Sequence, residues 1–98
     1  MSLPVVFRRA ARAEFDAAAD FYEARGKGLG RRFTLAVERV IDRAASQPDF
    51  YPVALDDVRE AIVPSFPYCV YYRAEPGRVV VLSVFHTSRN PAVWQGRA

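Results

Sequence analysis

Apolar residues recur at helical spacing in two stretches of the first half of the chain. In residues 10–25 the apolar positions share one side and charged residues the other; the apolar ones are Ala11, Phe15, Ala18, Ala19 and Tyr22. A second stripe, in residues 29–45, consists of Phe33, Ala36, Val37, Val40, Ile41 and Ala44. Glycines in residues 26–28 separate the stretches, and Pro48 stops the second. This pattern predicts a helix hairpin.

Runs of β-branched and aromatic residues predict the strands. They lie at residues 5–7, 58–63, 68–73 and 79–86, and residues 74–77 supply a hairpin turn between the last two. Asn90 and Pro91 suit the cap and the first position of a short helical turn. We therefore predict an α+β fold of order β-α-α-β-β-β, with an antiparallel sheet packed on the N-terminal helix hairpin and a short C-terminal helical tail.

Length and composition are typical of one soluble globular domain covering residues 1–98. The chain is 51% hydrophobic and 26% charged. We expect a cytoplasmic protein, because no apolar run approaches the roughly 18 residues that span a bilayer and no secretory signal is present. Cys69 is the only cysteine and is interpreted as a small buried residue. No metal and no cofactor are expected.

The positive charge is unevenly distributed along the sequence. Residues 1–57 hold nine basic and nine acidic side chains, whereas residues 58–98 hold five arginines against Glu60 and Glu75. This bias favours an acidic protein or nucleic-acid partner, because basic patches attract polyanions. A merely basic surface explains the same count. Lys27 is the only lysine. Arginine suits bidentate contacts to phosphates and carboxylates, but together with the many alanines a GC-rich genome explains the arginine richness better.

Several familiar site patterns are excluded. The glycine-rich residues 26–30 lie between two predicted helices and have neither the Walker nor the dinucleotide spacing, so an interhelix connection explains them. Neither Ser83 nor Ser88 stands in a Gly-x-Ser-x-Gly nucleophile elbow. Asp56 and Asp57 are more typical of a solvated turn than of a metal site.

The chemistry that remains lies at the end of the last predicted strand. His86 is the only histidine, and it stands close to Arg89. Histidine can act as a general acid or base, and arginine can stabilise charge on a phosphate. The alternative is a histidine that hydrogen-bonds the tail in place. Trp94 has two corresponding interpretations, since it either stacks on a base or anchors the tail against the sheet.

Several segments, in order and at matching spacing, resemble the RelE/ParE superfamily of bacterial toxins over nearly the whole chain. They are Ala-x-x-Glu-Phe (residues 11–15), Phe-Tyr-Glu (21–23), Gly-Leu-Gly-x-x-Phe (28–33), Tyr-Pro (51–52), Val-Arg (58–59), Phe-Pro-Tyr-Cys-Val-Tyr-Tyr (66–72) and Val-Phe-His-x-Ser-Arg-Asn-Pro-x-x-Trp (84–94). The resemblance implies a growth-inhibiting toxin of a type II toxin–antitoxin system, also called a plasmid-stabilisation protein. It also implies a cognate antitoxin whose extended or helical segment blocks the active surface.

Two modes of action occur in the superfamily. RelE-like members cut messenger RNA in the ribosome, and ParE-like members inhibit DNA gyrase. Arg59 and Arg89 match two places of the nuclease pattern. Ala61 and Cys69 stand where that pattern has Lys and Arg, and Trp94 stands near the place of its tail tyrosine. The residues 66–68 and 86–89 look closer to the ParE side.

Our first hypothesis is therefore a ParE-like toxin that binds gyrase through Arg59, Arg73, His86, Arg89 and Trp94. The alternative is a metal-independent, ribosome-dependent mRNA endoribonuclease with His86, Arg89 and Arg59 as its catalytic residues. A third possibility is an inactive scaffold that still binds antitoxin. A homodimer or a toxin–antitoxin hetero-oligomer is compatible with each of these.

Overall fold

Two helices form the predicted hairpin in the computed structural model, which describes residues 2–98. Helix α1 spans Arg9–Arg25 and helix α2 spans Leu29–Ser46, so both predictions are confirmed to within a residue at each end. Gly28 takes the left-handed conformation, with φ of 83°, which glycine adopts without steric cost. The Glu23 carboxylate accepts hydrogen bonds from the backbone N–H groups of Gly28 and Gly30, both at 3.0 Å. It thereby caps the start of α2.

The sheet has five strands in the order β1-β5-β4-β3-β2. They are β1 (Val5–Phe7), β2 (Val53–Leu55), β3 (Val58–Ile62), β4 (Tyr68–Glu75) and β5 (Arg78–His86). The three predicted C-terminal strands, β3, β4 and β5, pair antiparallel as expected, and β2 pairs antiparallel with β3. Strand β1 lies parallel to β5 at the edge, so the sheet is mixed and not purely antiparallel as predicted. The short edge strand β2 was not predicted. The chain ends in the short helix α3 (Ala92–Gln95), where the Asn90 side chain accepts a hydrogen bond from the Ala92 N–H.

Two apolar cores lie on the two faces of the sheet. The larger core joins the helix hairpin to alternate sheet residues such as Ala61, Val70 and Tyr72. The smaller core contains Val58, Tyr71, Leu82 and Phe85, and Trp94 from α3 covers it. Alternation along each strand thus decides whether a side chain faces the hairpin or the tail. Within residues 2–98 no helix is long and apolar enough to cross a membrane.

Candidate functional site

Glu14 on α1 joins three parts of the chain that are far apart in sequence. Its Oε1 accepts hydrogen bonds from Ser83 Oγ at 2.8 Å and from the Val84 N–H at 3.2 Å. Arg97 donates a hydrogen bond to each carboxylate oxygen, from Nη1 to Oε1 at 2.9 Å and from Nη2 to Oε2 at 3.1 Å. Arg89 Nη1 lies 3.0 Å from Oε2. This group, Glu14 with Ser83, Arg89 and Arg97, is called the tail network below.

The tail network keeps the Glu14 carboxylate ionised although the side chain is only 14% exposed. Burial by itself raises the pKa of Glu14, but hydrogen bonds from Arg97 and Ser83 and the positive charge of Arg97 outweigh it, so that the pKa is lowered. The two arginines therefore sit against a permanent negative charge at neutral pH. Because two guanidinium groups share one carboxylate, the tail network keeps one net positive charge at this end of the sheet.

His86 ends β5 beside the tail network, and its ring is held through Nδ1. The Ser88 backbone N–H donates to Nδ1 at 3.1 Å, and Ser88 Oγ lies 2.8 Å from the same atom. Because Nδ1 accepts from the backbone, the proton of the neutral ring is on Nε2. The Tyr68 ring packs edge-on against the histidine at 5.1 Å between centroids. His86 thus holds the turn that starts the tail, as one of its two interpretations predicted.

A shallow groove of about 250 Å³ opens between α1 and the end of β5. His86, Tyr68, Arg89 and Phe21 line it, together with Glu14. Burial raises the pKa of Tyr68, so its phenol is neutral at physiological pH. The groove brings together a histidine, a phenol and an arginine, which is a minimum set for acid–base chemistry on a phosphate.

Arg59 is not part of that groove. On β3 it pairs with Tyr72 of β4, whereas His86 pairs with Tyr68, four residues earlier on the same strand. Strand geometry places Arg59 about 16 Å from His86. Its guanidinium donates to the carbonyl of Tyr51 at 2.7 Å and contacts the Asp49 carboxylate at 3.4 Å. The expected single surface around Arg59, His86 and Arg89 is therefore two separate places, and Arg59 braces the loop after α2.

Arg73 and Trp94 also lie away from His86. Arg73 falls on the sheet face opposite to Tyr72, and its Nε donates to both carboxylate oxygens of Asp57 at 3.0 and 2.9 Å. Trp94 is 3% exposed and stacks on Tyr71 with centroids 3.8 Å apart and planes 12° apart. The tryptophan is an anchor for the tail, and in this conformation its face is closed to a partner.

Every arginine in residues 58–98 forms an ion pair with an acidic residue. The pairs are Arg59 with Asp49, Arg73 with Asp57, Arg78 with Glu75, and both Arg89 and Arg97 with Glu14. Three of the four acids, Glu14, Asp49 and Asp57, lie within residues 1–57. Counting charges separately in the two parts of the sequence does not show that these acids pair with the C-terminal arginines. The C-terminal basic bias is therefore balanced in the folded protein.

The sequence interpretation missed Glu14 and Arg97. One signal for Glu14 existed, because it lies three residues after Ala11 and four before Ala18, on the apolar side of the helix. A carboxylate on a buried stripe requires a cationic partner. Nothing in the spacing identifies that partner, since Arg97 is 83 residues away.

The positions that depart from the nuclease pattern are buried. Ala61 is 0% and Cys69 5% exposed, one on each face of the sheet. Burial, followed by the negative charge of Glu60, raises the pKa of the Cys69 thiol, which removes it as a nucleophile. Among residues 2–98, no group of three or more His, Cys, Asp or Glu side chains is arranged to hold a metal ion.

Comparisons with known proteins give one family match and one match of the fold. Residues 5–91 match the family described as ParE toxin of type II toxin-antitoxin system, parDE. The fold is similar to a solved structure described as the chromosomal ParDE TA system from P. aeruginosa, with a TM-score of 0.62 and 16% identity; 89% of this chain and 98% of that chain are covered. No curated protein matches the sequence.

Proposed function

The chain belongs to the ParE toxin family of type II toxin–antitoxin systems, and from this premise we propose that it arrests bacterial growth by binding and inhibiting DNA gyrase in the cytoplasm. In this proposal a cognate antitoxin neutralises it. Induction of the chain alone should stop growth, and co-expression of the antitoxin encoded beside it should restore growth. Normal growth on induction would instead favour an inactive, antitoxin-binding scaffold.

The state of Arg89 is the observation that favours binding over catalysis. RNA cleavage requires an arginine whose positive charge is available to the phosphate as negative charge develops. Arg89 lies 3.0 Å from an ionised Glu14 that also pairs with Arg97, so the carboxylate holds the Arg89 guanidinium in place and offsets part of its charge. Its side chain is nevertheless 45% exposed, so it can serve as a fixed hydrogen-bond donor to a protein surface. We place His86 beside it in the same contact surface.

The decisive experiment is gyrase supercoiling in vitro. Purified protein should inhibit supercoiling, and Arg89→Ala should weaken inhibition by about tenfold, which corresponds to one lost charge-assisted contact. Arg78→Ala is the matched control, because Arg78 forms its own exposed ion pair with Glu75 at the far hairpin turn. Full supercoiling activity at a stoichiometric excess of wild-type protein would refute the gyrase proposal.

Of the residues first assigned to the target surface, we retain Arg89 and His86 as the centre. Arg59 and Arg73 are expected to contribute little to gyrase binding, because both are largely covered and are engaged in intramolecular bonds. Trp94 acts on the surface only by holding the tail. A double variant Arg59→Gln/Arg73→Gln should therefore inhibit gyrase nearly as well as wild type, once its folding has been verified.

The second candidate function is a ribosome-dependent endoribonuclease. It rests on the Nε2 atom of His86, which carries the proton of the neutral ring and shares a groove with Tyr68. Translating ribosomes mixed with the protein should then show codon-linked cleavage that His86→Gln and Tyr68→Phe each reduce. Intact messenger RNA with the wild-type protein would exclude this function.

A further inference from the structure

Four basic side chains cluster at the tip of the helix hairpin. Arg25 ends α1, Lys27 lies in the connection, and Arg31 and Arg32 stand in the first turn of α2. All four are exposed, and residues 25–32 contain no acid. None of the four forms a salt bridge within the part of the chain that the structure describes. This segment, residues 25–32, is called the basic tip below.

The acid that precedes the basic tip in sequence is engaged with the backbone. The two carboxylate oxygens of Glu23 accept hydrogen bonds from the N–H groups of Gly28 and Gly30. A Cβ atom on Gly30 would lie 2.7 Å from the Ala19 carbonyl oxygen, so the two helices approach each other closely here. The turn is therefore fixed in one conformation. It presents its positive charges on an ordered surface, which lowers the entropic cost of binding.

The basic tip has the composition of a phosphate contact and not of a protein interface. Its only large apolar residue, Leu29, is half-buried. Protein interfaces depend on an apolar or aromatic centre that becomes buried. Contacts to a nucleic-acid backbone need only positive charge and hydrogen-bond donors. A polyanion that carries its charge on its outer surface therefore fits this segment best.

Among polyanions, a duplex fits better than a single strand. Single strands bind largely through bases that stack on open aromatic faces. The aromatic residue next to the basic tip is Phe21, and the Arg25 guanidinium lies over its ring at 4.5 Å from the centroid. Tyr22 meets the same ring edge-on, with centroids 5.4 Å apart and planes at 81°. A duplex exposes its phosphates and requires no such stacking platform.

We propose that the basic tip binds the phosphate backbone of double-stranded DNA. The tip adjoins the groove of His86 and Arg89, because Phe21 lines that groove and contacts Arg25. Both surfaces can thus meet one large partner at the same time. Under the proposed function the DNA is the segment that gyrase holds, and that part of the inference rests on the proposed function. Binding to DNA by itself does not require it.

The salt dependence of binding to a fluorescent DNA duplex of about 20 base pairs is the first test. The logarithm of the affinity should fall with the logarithm of the KCl concentration with a slope of about −3.6, which four phosphate contacts produce. Lys27→Gln/Arg31→Gln should bring the slope to about −1.8 and weaken binding by about tenfold at low salt. Absence of binding by the wild-type protein at low salt would overturn the proposal.

The matched control removes two charges at the opposite end of α1. Arg8→Gln/Arg9→Gln changes the net charge by the same amount, and both residues are exposed and form no salt bridge within residues 2–98. Arg9 lies about 24 Å from Arg25 along the helix. This variant should keep the wild-type slope. Equal changes in the two double variants would mean that net charge alone attracts DNA, and would refute the site.

Spectroscopy and competition define where and what the basic tip binds. In isotope-labelled protein, the duplex should shift the backbone amide signals of residues 25–32 most strongly, and larger shifts elsewhere would contradict the assignment. Unlabelled duplex should displace the fluorescent one at a lower concentration than single-stranded RNA or polyglutamate of equal charge. Stronger competition by RNA or by polyglutamate would identify a different class of partner and overturn the proposal.

Failure of the basic tip and failure of the proposed function give different results, because DNA binding is measured without gyrase. If the protein binds duplex through residues 25–32 and leaves supercoiling intact, the proposed function fails and the basic tip stands. If the protein inhibits gyrase but binds no duplex, the basic tip fails alone. If both hold, Lys27→Gln/Arg31→Gln should also weaken inhibition of gyrase, whereas Arg8→Gln/Arg9→Gln should not.

Discussion

Arginines in two regions of this protein are in opposite electrostatic situations. In the tail network, Arg89 and Arg97 both pair with Glu14, which holds their guanidinium groups in place and offsets one of their two positive charges. Along one face of α2, by contrast, Arg32, Arg39 and Arg43 form no salt bridge with an acidic residue among residues 2–98. The first region stabilises the protein, and the second leaves positive charge available to a partner.

This difference shows why charge counted along a sequence misleads. The C-terminal part has the excess of arginine, yet acids from earlier in the chain, such as Glu14, Asp49 and Asp57, fold back to pair with it. Residues 1–57 have equal numbers of basic and acidic side chains, but three of those acids form ion pairs with arginines of residues 58–98. The remaining arginines of residues 1–57 therefore carry free positive charge.

The largest expected effect comes from breaking the anchor of the paired region. Trp94→Ala removes a ring that is 3% exposed and stacked on Tyr71, and should lower the free energy of unfolding by about 4 kcal/mol. Urea denaturation measures this. Trp94→Phe should cost clearly less, because the indole Nε1 is buried without a hydrogen-bond partner in the structure and its removal forfeits no bond. Equal losses in the two variants would contradict this role of the ring.

Removal of the shared acid should have the next largest effect. Glu14→Ala leaves Arg97, Arg89 and Ser83 without their acceptor, and should destabilise the protein by about 3 kcal/mol. Glu38→Ala is the control, since Glu38 is an exposed helix glutamate outside any ion pair in residues 2–98, and it should change stability by less than about 0.5 kcal/mol. Similar losses for both glutamates would abolish the distinction between the two regions.

Acid should weaken the paired region selectively. The pKa of Glu14 is lower in the folded than in the unfolded chain, so the unfolded state binds the proton first. The contribution of this group to stability is fully present above its unfolded pKa and is lost as the pH falls through its folded pKa. Stability measured at neutral pH and at about pH 3 should therefore fall less in Glu14→Gln than in wild type. A parallel fall in both proteins would contradict the assignment.

The smallest effects compare single arginines directly. Arg97→Gln loses a two-pronged pairing with Glu14 and should cost about 1.5 kcal/mol. Arg39→Gln removes a like-charge neighbour of Arg43 and should change stability by less than about 0.5 kcal/mol, towards greater stability. Paired denaturation curves test this, and a larger loss in Arg39→Gln than in Arg97→Gln would reverse the comparison.

The helices and the three long strands could be predicted from sequence because their signals are local. Stripes of apolar residues and runs of valine and tyrosine recur at the spacing that each element requires. The strand β2 escaped because it has only three residues, Val53–Leu55, and is bordered by turn residues. The parallel pairing of β1 with β5 joins strands that are more than 70 residues apart, so it depends on the complete tertiary fold and not on any local sequence pattern.

The candidate site was less predictable than the fold. His86 and Arg89 were correctly expected to lie together, since two intervening residues separate them in one turn. Arg59 was grouped with them because it matches a place of the nuclease pattern and lies in the basic part of the sequence, and the strand register separates it from them. The free charge on α2 was missed for a related reason. The sequence does not show which arginines form ion pairs in the folded protein, so Arg32, Arg39 and Arg43 do not stand out in it.

The position of β5 also determines when this fold can form during synthesis. Strand β5 lies between β1 and β4, so β1, made at the start, has no neighbour until the last strand leaves the ribosome. Arg97 follows later still. A nascent chain can build its helix hairpin early, but long-range pairings of this kind come late and slowly. The tail-network surface is therefore complete only after Arg97 has been synthesised, whereas the face of α2 that carries Arg32, Arg39 and Arg43 is available once the first half has been made.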